Sequence, residues 1–148
     1  MIRKIEILFY ISMIMLLSGC HSTPKVTENI PEPGDDYGVV HGILTDSTGA
    51  PIEESIFLSQ DITFENPELP PTISFSYQSD PRGFINPETG FFYFDQVEPG
   101  ENYVIAIFTG GMGDLSFVLE KNGNMPLHIK VHAGKVVDLG ELVVNISQ

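Results

Sequence analysis

Histidines and carboxylates are the side chains of this sequence that could bind a metal ion. His128 and His132 alternate with Lys130 in a strand-like segment, so we expect all three on one face of a strand. The ammonium group of Lys130 opposes a bound cation there, which favours solvent-facing histidines over a metal site. We expect His41 on the solvent side or at the edge of the first strand, and His21 in a polar segment near the N-terminus.

Oxygen ligands for calcium are more plentiful than nitrogen ligands. Calcium binds about six to eight oxygens, which carboxylates and amides supply. The candidates around the middle of the chain are Asp80, Asn86, Glu88 and Asp95. They lack the regular spacing of an EF-hand loop, so a solvated acidic surface is the simpler interpretation. A calcium site at this loop stays open as an alternative.

No motif in the chain predicts catalysis. Residues 110–114 (GGMGD) resemble a phosphate-binding loop only in glycine content, because neither a G-K-[ST] sequence nor a helical pattern follows them. The G-x-S-x-G and H-E-x-x-H patterns are absent. We therefore predict no catalytic residue and no cofactor. An enzyme remains a third hypothesis, for which a deep pocket lined by a histidine and a carboxylate would be the discriminating observation.

Charge and cysteine content exclude several classes of protein. The 148 residues carry 20 acidic and 7 basic side chains, a net charge of −13, which argues against binding nucleic-acid phosphates. A single cysteine excludes an intrachain disulfide and a zinc site built on several thiolates. The length suits one domain of ordinary size.

The first residues have the pattern of a secretory signal. Arg3 and Lys4 precede an apolar run at residues 7–17, and small residues follow it. Eleven residues of helix would span about 16 Å of a hydrocarbon core about 30 Å thick, too little to cross it. The run is therefore typical of a signal peptide and not of a transmembrane helix.

The tetrad Leu17-Ser18-Gly19-Cys20 resembles the bacterial lipobox. That resemblance implies cleavage between Gly19 and Cys20, a thioether-linked diacylglycerol on Cys20, and often a further acyl chain, such as palmitate, on the new amino group. Two or more chains hold a protein stably on a membrane. We expect a lipoprotein on the extracytoplasmic face of the cell membrane or the outer membrane, with residues 1–19 as its signal peptide.

Residues 20–36 have the composition of a flexible tether. They are polar and contain Pro24, Pro31 and Pro33, so they cannot bury enough apolar surface to fold alone. The pattern changes after them. Residues 37–148 contain about eight short apolar or alternating segments separated by glycine, proline and asparagine. Such a pattern predicts an all-β domain, an antiparallel β-sandwich of about seven to eight strands.

Three motifs occur in a recognisable order along this domain. The first is GVVHGILTD at residues 38–46, followed by GAPI at residues 49–52. The second is ETGFFYF at residues 88–94, which runs into Pro99-Gly100 and Tyr103, and the third extends from residue 129 through Gly134 to residue 142. This order resembles the carboxypeptidase regulatory-like domain, a transthyretin-like (prealbumin-like) β-sandwich. The same residues have structural roles to fill. We expect Gly90 to turn a hairpin, Phe92 and Phe94 to fill the core, Gly100 to supply a positive φ, and Tyr103 to begin a core strand.

The predicted function is a non-catalytic binding or structural module that contacts an envelope protein, a peptide or a glycan through loops at one end of the sandwich. The candidate surface lies in the long segment at residues 61–83 and comprises Phe64, Phe75, Tyr77 and Arg82, unless these aromatics belong to the core. The alternative function is a carbohydrate-binding module of starch-binding-like type, with Tyr77 or Tyr93 stacking on sugar rings. The absence of tryptophan counts against it.

Overall fold

The computed structural model describes residues 28–62, 72–109, 115–121, 123 and 125–144. Gly19, Cys20, Phe64 and the glycine-rich residues 110–114 lie outside the described residues. The lipidation site, the signal peptide and one member of the candidate surface therefore stay predictions.

Strands account for all the regular structure among the described residues. They are β1 (Gly38–Asp46), β2 (Ser55–Ile62), β3 (Thr72–Ser74), β4 (Phe84–Ile85), β5 (Phe91–Val97), β6 (Gly100–Phe108), β7 (Leu115–Phe117), β8 (Ile129–Val131) and β9 (Val136–Val144). The predicted all-β class is confirmed. In this part of the chain no helix is long and apolar enough to span a bilayer.

The strands form two sheets. Sheet A has the order β4-β5-β1-β9, and sheet B has the order β3-β2-β6-β7, with β8 also paired to β6. Every described pairing is antiparallel except that of β1 with β9, which is parallel. The last strand therefore forms one edge of sheet A beside the first, and the predicted antiparallel sandwich is confirmed with this one parallel pair.

The core lies between the two sheets and is built from alternating side chains. Phe92 and Phe94 are fully buried there, as predicted. Burying one such side chain contributes roughly 1.5–3 kcal/mol. Further core residues come from β1, β2 and β6, among them Val40, Leu44, Ile56, Leu58, Ile105 and Ile107.

The β4–β5 hairpin depends on Gly90, as predicted. Gly90 has φ of 72°, a conformation that side chains with a Cβ rarely adopt. Its amide donates a 2.8 Å hydrogen bond to the carbonyl of Asn86. A Cβ at this position would lie 2.4 Å from the carbonyl oxygen of Leu44, so both the turn and the approach of β1 require glycine.

The expected positive φ at Gly100 is wrong. The described non-glycine residues with positive φ are Gln96 at 52° and Asn102 at 62°, on either side of the corner between β5 and β6. Gly100 serves a different purpose, because a Cβ there would lie 2.9 Å from a ring carbon of Tyr103. The glycine makes room for the tyrosine ring, which is the first buried side chain of β6.

Strand β3 is shorter than the alternation of residues 72–77 indicates, because a turn begins after Ser74. The carboxylate of Asp80 accepts hydrogen bonds from the amide of Ser76 at 3.0 Å and from the hydroxyl of Ser59 at 2.7 Å. These bonds fasten the turn to the outer face of β2. The expected strand through Tyr77 is therefore wrong beyond Ser74.

His41 lies on the face of sheet A opposite the core, as one form of the expectation had it, but it is neither at a sheet edge nor open to solvent. Strand β1 lies between β5 and β9, and His41 is only 9% exposed. Its ring centroid lies 6.1 Å from that of Phe91, and its Nδ1 lies 3.8 Å from a carboxylate oxygen of Asp138. The side chain is thus held on the outward face of sheet A.

Residues 28–37, which we call the strap, lead into β1 without regular structure. At one end the carboxylate of Glu28 accepts hydrogen bonds from the hydroxyl of Thr89 at 2.7 Å and from the side-chain amide of Asn86 at 3.3 Å. At the other end the carbonyl of Tyr37 accepts a 3.0 Å hydrogen bond from the amide of Gly134. The strap, which includes residues 28–36 of the predicted tether, therefore contacts the rest of the domain at Glu28 and at Tyr37.

Candidate functional site

A cleft of about 470 Å³ opens where the end of β5 meets the start of β6, between the two sheets. Both sheets, the strap and the turn after β3 contribute to it. Its walls are Tyr37, Leu58, Gln60, Ser74, Ser79, Asp80, Pro81, Gln96, Glu98 and Tyr103. It is large enough to hold part of a small ligand or one or two side chains of a partner.

Two tyrosines supply the aromatic surface of the cleft. Tyr103 is 7% exposed, and its hydroxyl donates a 3.2 Å hydrogen bond to the carbonyl of Glu98. Burial raises the pKa of Tyr103, and a hydrogen bond from Gln60 partly offsets that rise. Tyr37 is 40% exposed, so much of its side chain is open to solvent. One tyrosine is thus fixed in the wall, and the other is accessible.

The charge of the cleft is negative. Asp80 and Glu98 supply its carboxylates, and among the residues that the structure describes no lysine, arginine or histidine lines it. The whole chain carries a net charge of −13, which adds to this local field. Anionic ligands such as phosphates are therefore disfavoured, whereas neutral polar groups and cations are compatible with the walls.

Gln96 contributes a strained backbone to the cleft. Its φ of 52° lies in the left-handed region, which costs a residue with a Cβ about 1–2 kcal/mol. Such strain is found preferentially at functional sites, where the surrounding structure holds it. Val97, the next residue, is fully buried and pairs with Gly38, so the sheet fixes this conformation.

The three described members of the predicted surface are neighbours in sequence of cleft residues but do not line the cleft themselves: Phe75, Tyr77 and Arg82. Phe75 and Tyr77 both pack against Phe57 on the outer face of β2, with ring centroids 5.4 Å away in each case. Tyr77 remains 60% exposed. Arg82 donates a 2.9 Å hydrogen bond to the hydroxyl of Ser55. The structure thus brings Phe75 and Tyr77 together as a cover over sheet B.

The four candidate calcium ligands are separated by their roles in the fold. Asp80 fastens the turn after β3 and lines the cleft. Asn86 and Glu88 belong to the β4–β5 turn, where the amide of Glu88 donates a 2.9 Å hydrogen bond to the side chain of Asn86. Asp95 is exposed on β5. Among the described residues, no three histidine, cysteine or acidic side chains gather as a metal site would require.

The two histidines of the β8 region have different surroundings. His128 Nε2 lies 2.7 Å from a carboxylate oxygen of Asp61, a side chain that is only 8% exposed. Lys130 forms an ion pair with Glu101. His132 is exposed. Both histidines are exposed, as expected, and His128 also has an acidic partner from a distant strand.

Sequence reasoning missed the six residues of the cleft that lie outside the predicted segment 61–83: Tyr37, Leu58, Gln60, Gln96, Glu98 and Tyr103. Only Glu98 and Tyr103 carried a signal, because they flank the Pro99-Gly100 corner that the motifs singled out. The others come together through the packing of two sheets, and no spacing along the chain indicates it.

Comparison with protein-family models, curated proteins and solved structures finds no match to this chain.

Proposed function

We propose that this chain is a lipid-anchored, extracytoplasmic lipoprotein that acts as a non-catalytic binding module, with the cleft as its binding site. The anchor is the lipid on Cys20, in the cell membrane or the outer membrane, and the candidate partners are an envelope protein or a glycan. The observation that carries the binding role is the cleft itself, with its open tyrosine, strained glutamine and uncompensated carboxylates.

The lipobox tetrad supports the anchor, since the single cysteine of the chain stands where lipidation needs it. The order of the three motifs supports a transthyretin-like domain of the carboxypeptidase regulatory-like type.

Metabolic labelling tests the anchor. Full-length chain produced in a bacterium that is fed an alkyne-tagged palmitate should incorporate the label and sediment with membranes. The Cys20→Ser variant should lose both properties, because serine has no sulfur to form the thioether. Unlabelled wild-type chain with an uncut leader would contradict the anchor.

Matched tyrosine variants test the cleft. The mature chain is screened against an array of neutral oligosaccharides, lysine- and arginine-containing peptides, and anionic controls. Tyr37→Ala should weaken binding of any captured ligand about tenfold or more, and Tyr77→Ala should leave it within about twofold. Both tyrosines are exposed, so neither change removes a core residue. The opposite order would assign binding to the surface that the sequence predicted.

Carbohydrate binding is the second candidate, and the chemistry of the cleft favours it. Carboxamides and hydroxyls both donate to and accept from sugar hydroxyls, carboxylates accept from them, and an open tyrosine ring can stack on a sugar. A second aromatic platform exists on sheet A, where Phe84 and Tyr93 stack with centroids 5.0 Å apart. If Tyr37→Ala abolishes binding of a neutral oligosaccharide and Tyr93→Ala does not, the sugar is assigned to the cleft.

A further inference from the structure

The strap connects opposite ends of the domain. Tyr37, at its C-terminal end, lines the cleft. Glu28, at its other end, is held by the turn between β4 and β5. Strand β5 runs from that turn to the cleft, and its seven residues cover about 20 Å. The chain therefore runs nearly the whole length of sheet A before it becomes part of β1.

From this geometry we propose that the strap moves the exit point of the membrane tether away from the cleft. A tether that left the domain at Tyr37 would place the lipid anchor at the rim of the binding site. With Glu28 docked, the tether leaves at the opposite end, and the cleft of an anchored molecule faces away from the membrane. This inference rests on the proposed attachment through Cys20.

The number of residues between the lipid on Cys20 and the docked Glu28 limits how far the domain can lie from its anchor. Eight residue steps separate Cys20 from Glu28, which allows at most about 26–29 Å of reach. The β4–β5 turn therefore stays within that distance of the lipid, and the cleft lies a further sheet length of about 20 Å along the domain. A tether free up to Tyr37 has 17 steps, about 56–61 Å, and lets the cleft approach the membrane.

The sequence of the strap suits this role. Pro31 and Pro33 restrict the backbone to extended conformations, which lets ten residues cover the length of the sheet. The side chain of Glu28 makes two hydrogen bonds to the β4–β5 turn. Glu32 carries the same charge four residues later but is exposed. The two glutamates therefore form a matched pair for testing the contact separately from the charge.

Energy transfer to a labelled bilayer tests the orientation. The lipidated full chain is reconstituted into phosphatidylcholine vesicles that contain an acceptor dye on a lipid. A cysteine introduced by Ser79→Cys reports on the cleft rim, and one introduced by Glu88→Cys reports on the β4–β5 turn. Each is the only free thiol, since the lipid occupies the sulfur of Cys20. We expect the label at position 88 to transfer at least about twofold more energy than the label at position 79.

Glu28→Ala should abolish or reverse that order, while Glu32→Ala should keep it. Equal transfer from the two labels in the wild-type background, or an order that Glu28→Ala leaves unchanged, would overturn the inference. A second arm replaces residues 1–20 with a hexahistidine tag on vesicles that carry a nickel-chelating lipid. If the order appears there while the native chain is not lipidated, the anchor is refuted and the role of the strap is supported.

Discussion

The carboxylate of Glu28 accepts a 2.7 Å hydrogen bond from the hydroxyl of Thr89, a residue 61 positions later in the sequence. The same hydroxyl accepts a 3.2 Å hydrogen bond from the amide of Phe91, at the first position of β5. Thr89 thus joins the strap to the sheet through one oxygen. Removing the hydroxyl of Thr89 should therefore release the strap more than it disturbs the β4–β5 hairpin.

Thr89→Val should make the strap accessible to protease. The valine keeps the shape of threonine but cannot donate to Glu28, and a hydrogen bond to a charged group contributes about 1.5–3 kcal/mol. We expect cleavage of the Glu28–Asn29 bond by a glutamate-specific protease to accelerate about tenfold, measured by mass spectrometry under native conditions. Thr89→Ser, which keeps the hydroxyl, should cleave at close to the wild-type rate. Equal rates for the two variants would show that the hydroxyl does not hold the strap.

Gly90→Ala should be far more destabilising than Gly49→Ala. Both glycines have positive φ, 72° and 84°, so both alanines carry the left-handed backbone cost of about 1–2 kcal/mol. Only at Gly90 would the new Cβ meet backbone, at 2.4 Å from the Leu44 carbonyl oxygen, whereas nothing lies within 4 Å at Gly49. We expect losses of about 3–5 kcal/mol against about 1–2 kcal/mol in urea unfolding. A similar loss of unfolding free energy for both variants would mean that β1 moves easily to make room for the new Cβ at position 90.

Ionisation of Tyr103 should lower the stability of the folded chain at high pH. Burial raises its pKa in the folded chain above 10.0, so on titration the unfolded state releases this proton first. Stability from this group is complete below about pH 10 and falls as pH rises towards the folded pKa. Tyr103→Phe should melt at a lower temperature near pH 8, because it loses the hydrogen bond to Glu98. Its deficit relative to wild type should narrow above pH 10.

Melting curves at several pH values check this expectation. A deficit that stays constant from pH 8 to pH 11.5 would mean that the Tyr103 hydroxyl ionises as easily in the folded chain as in the unfolded one. Circular dichroism at pH 8 provides the control, since both proteins should give the same spectrum if the phenylalanine fits the same wall.

The sequence predicted the strands wherever hydrophobic alternation decides the structure. Phe92 and Phe94 alternate with more exposed neighbours, and β5 lies in the sheet as expected. Prediction failed where one polar contact overrides the pattern. Ser76 and Tyr77 continue the alternation of β3, but the carboxylate of Asp80 binds the amide of Ser76 and turns the chain there. Nothing in the spacing of these residues indicates that bond.

The cleft was beyond prediction for a related reason. Gln60 is near the end of β2, and Gln96 is near the end of β5 in the other sheet. They share a cleft only because the corner after Glu98 carries the chain from one sheet to the other. A strand pattern assigns each residue to a face of its own sheet, but it does not say which strand ends meet. The parallel pairing of β9 with β1 is hidden for the same reason.

The last prediction concerns Asp61 and His128, which join β2 to the start of β8 across β6. One oxygen of the nearly buried Asp61 carboxylate lies 2.7 Å from His128 Nε2, and the other has no hydrogen-bond partner within the described part of the chain. His128→Ala would leave this carboxylate without its charged or polar neighbour. Because an unpaired buried polar group is costly, we expect a loss of about 1–3 kcal/mol in urea unfolding.

A double-mutant cycle separates that cost from lost packing. Asp61→Ala combined with His128→Ala removes both partners, so the double variant should be less destabilised than the sum of the two single variants by about 1 kcal/mol or more. His132→Ala, at an exposed position on the same segment, should change stability by about 0.5 kcal/mol or less. Additive single effects would mean that the 2.7 Å contact between Asp61 and His128 contributes nothing to the free energy of unfolding.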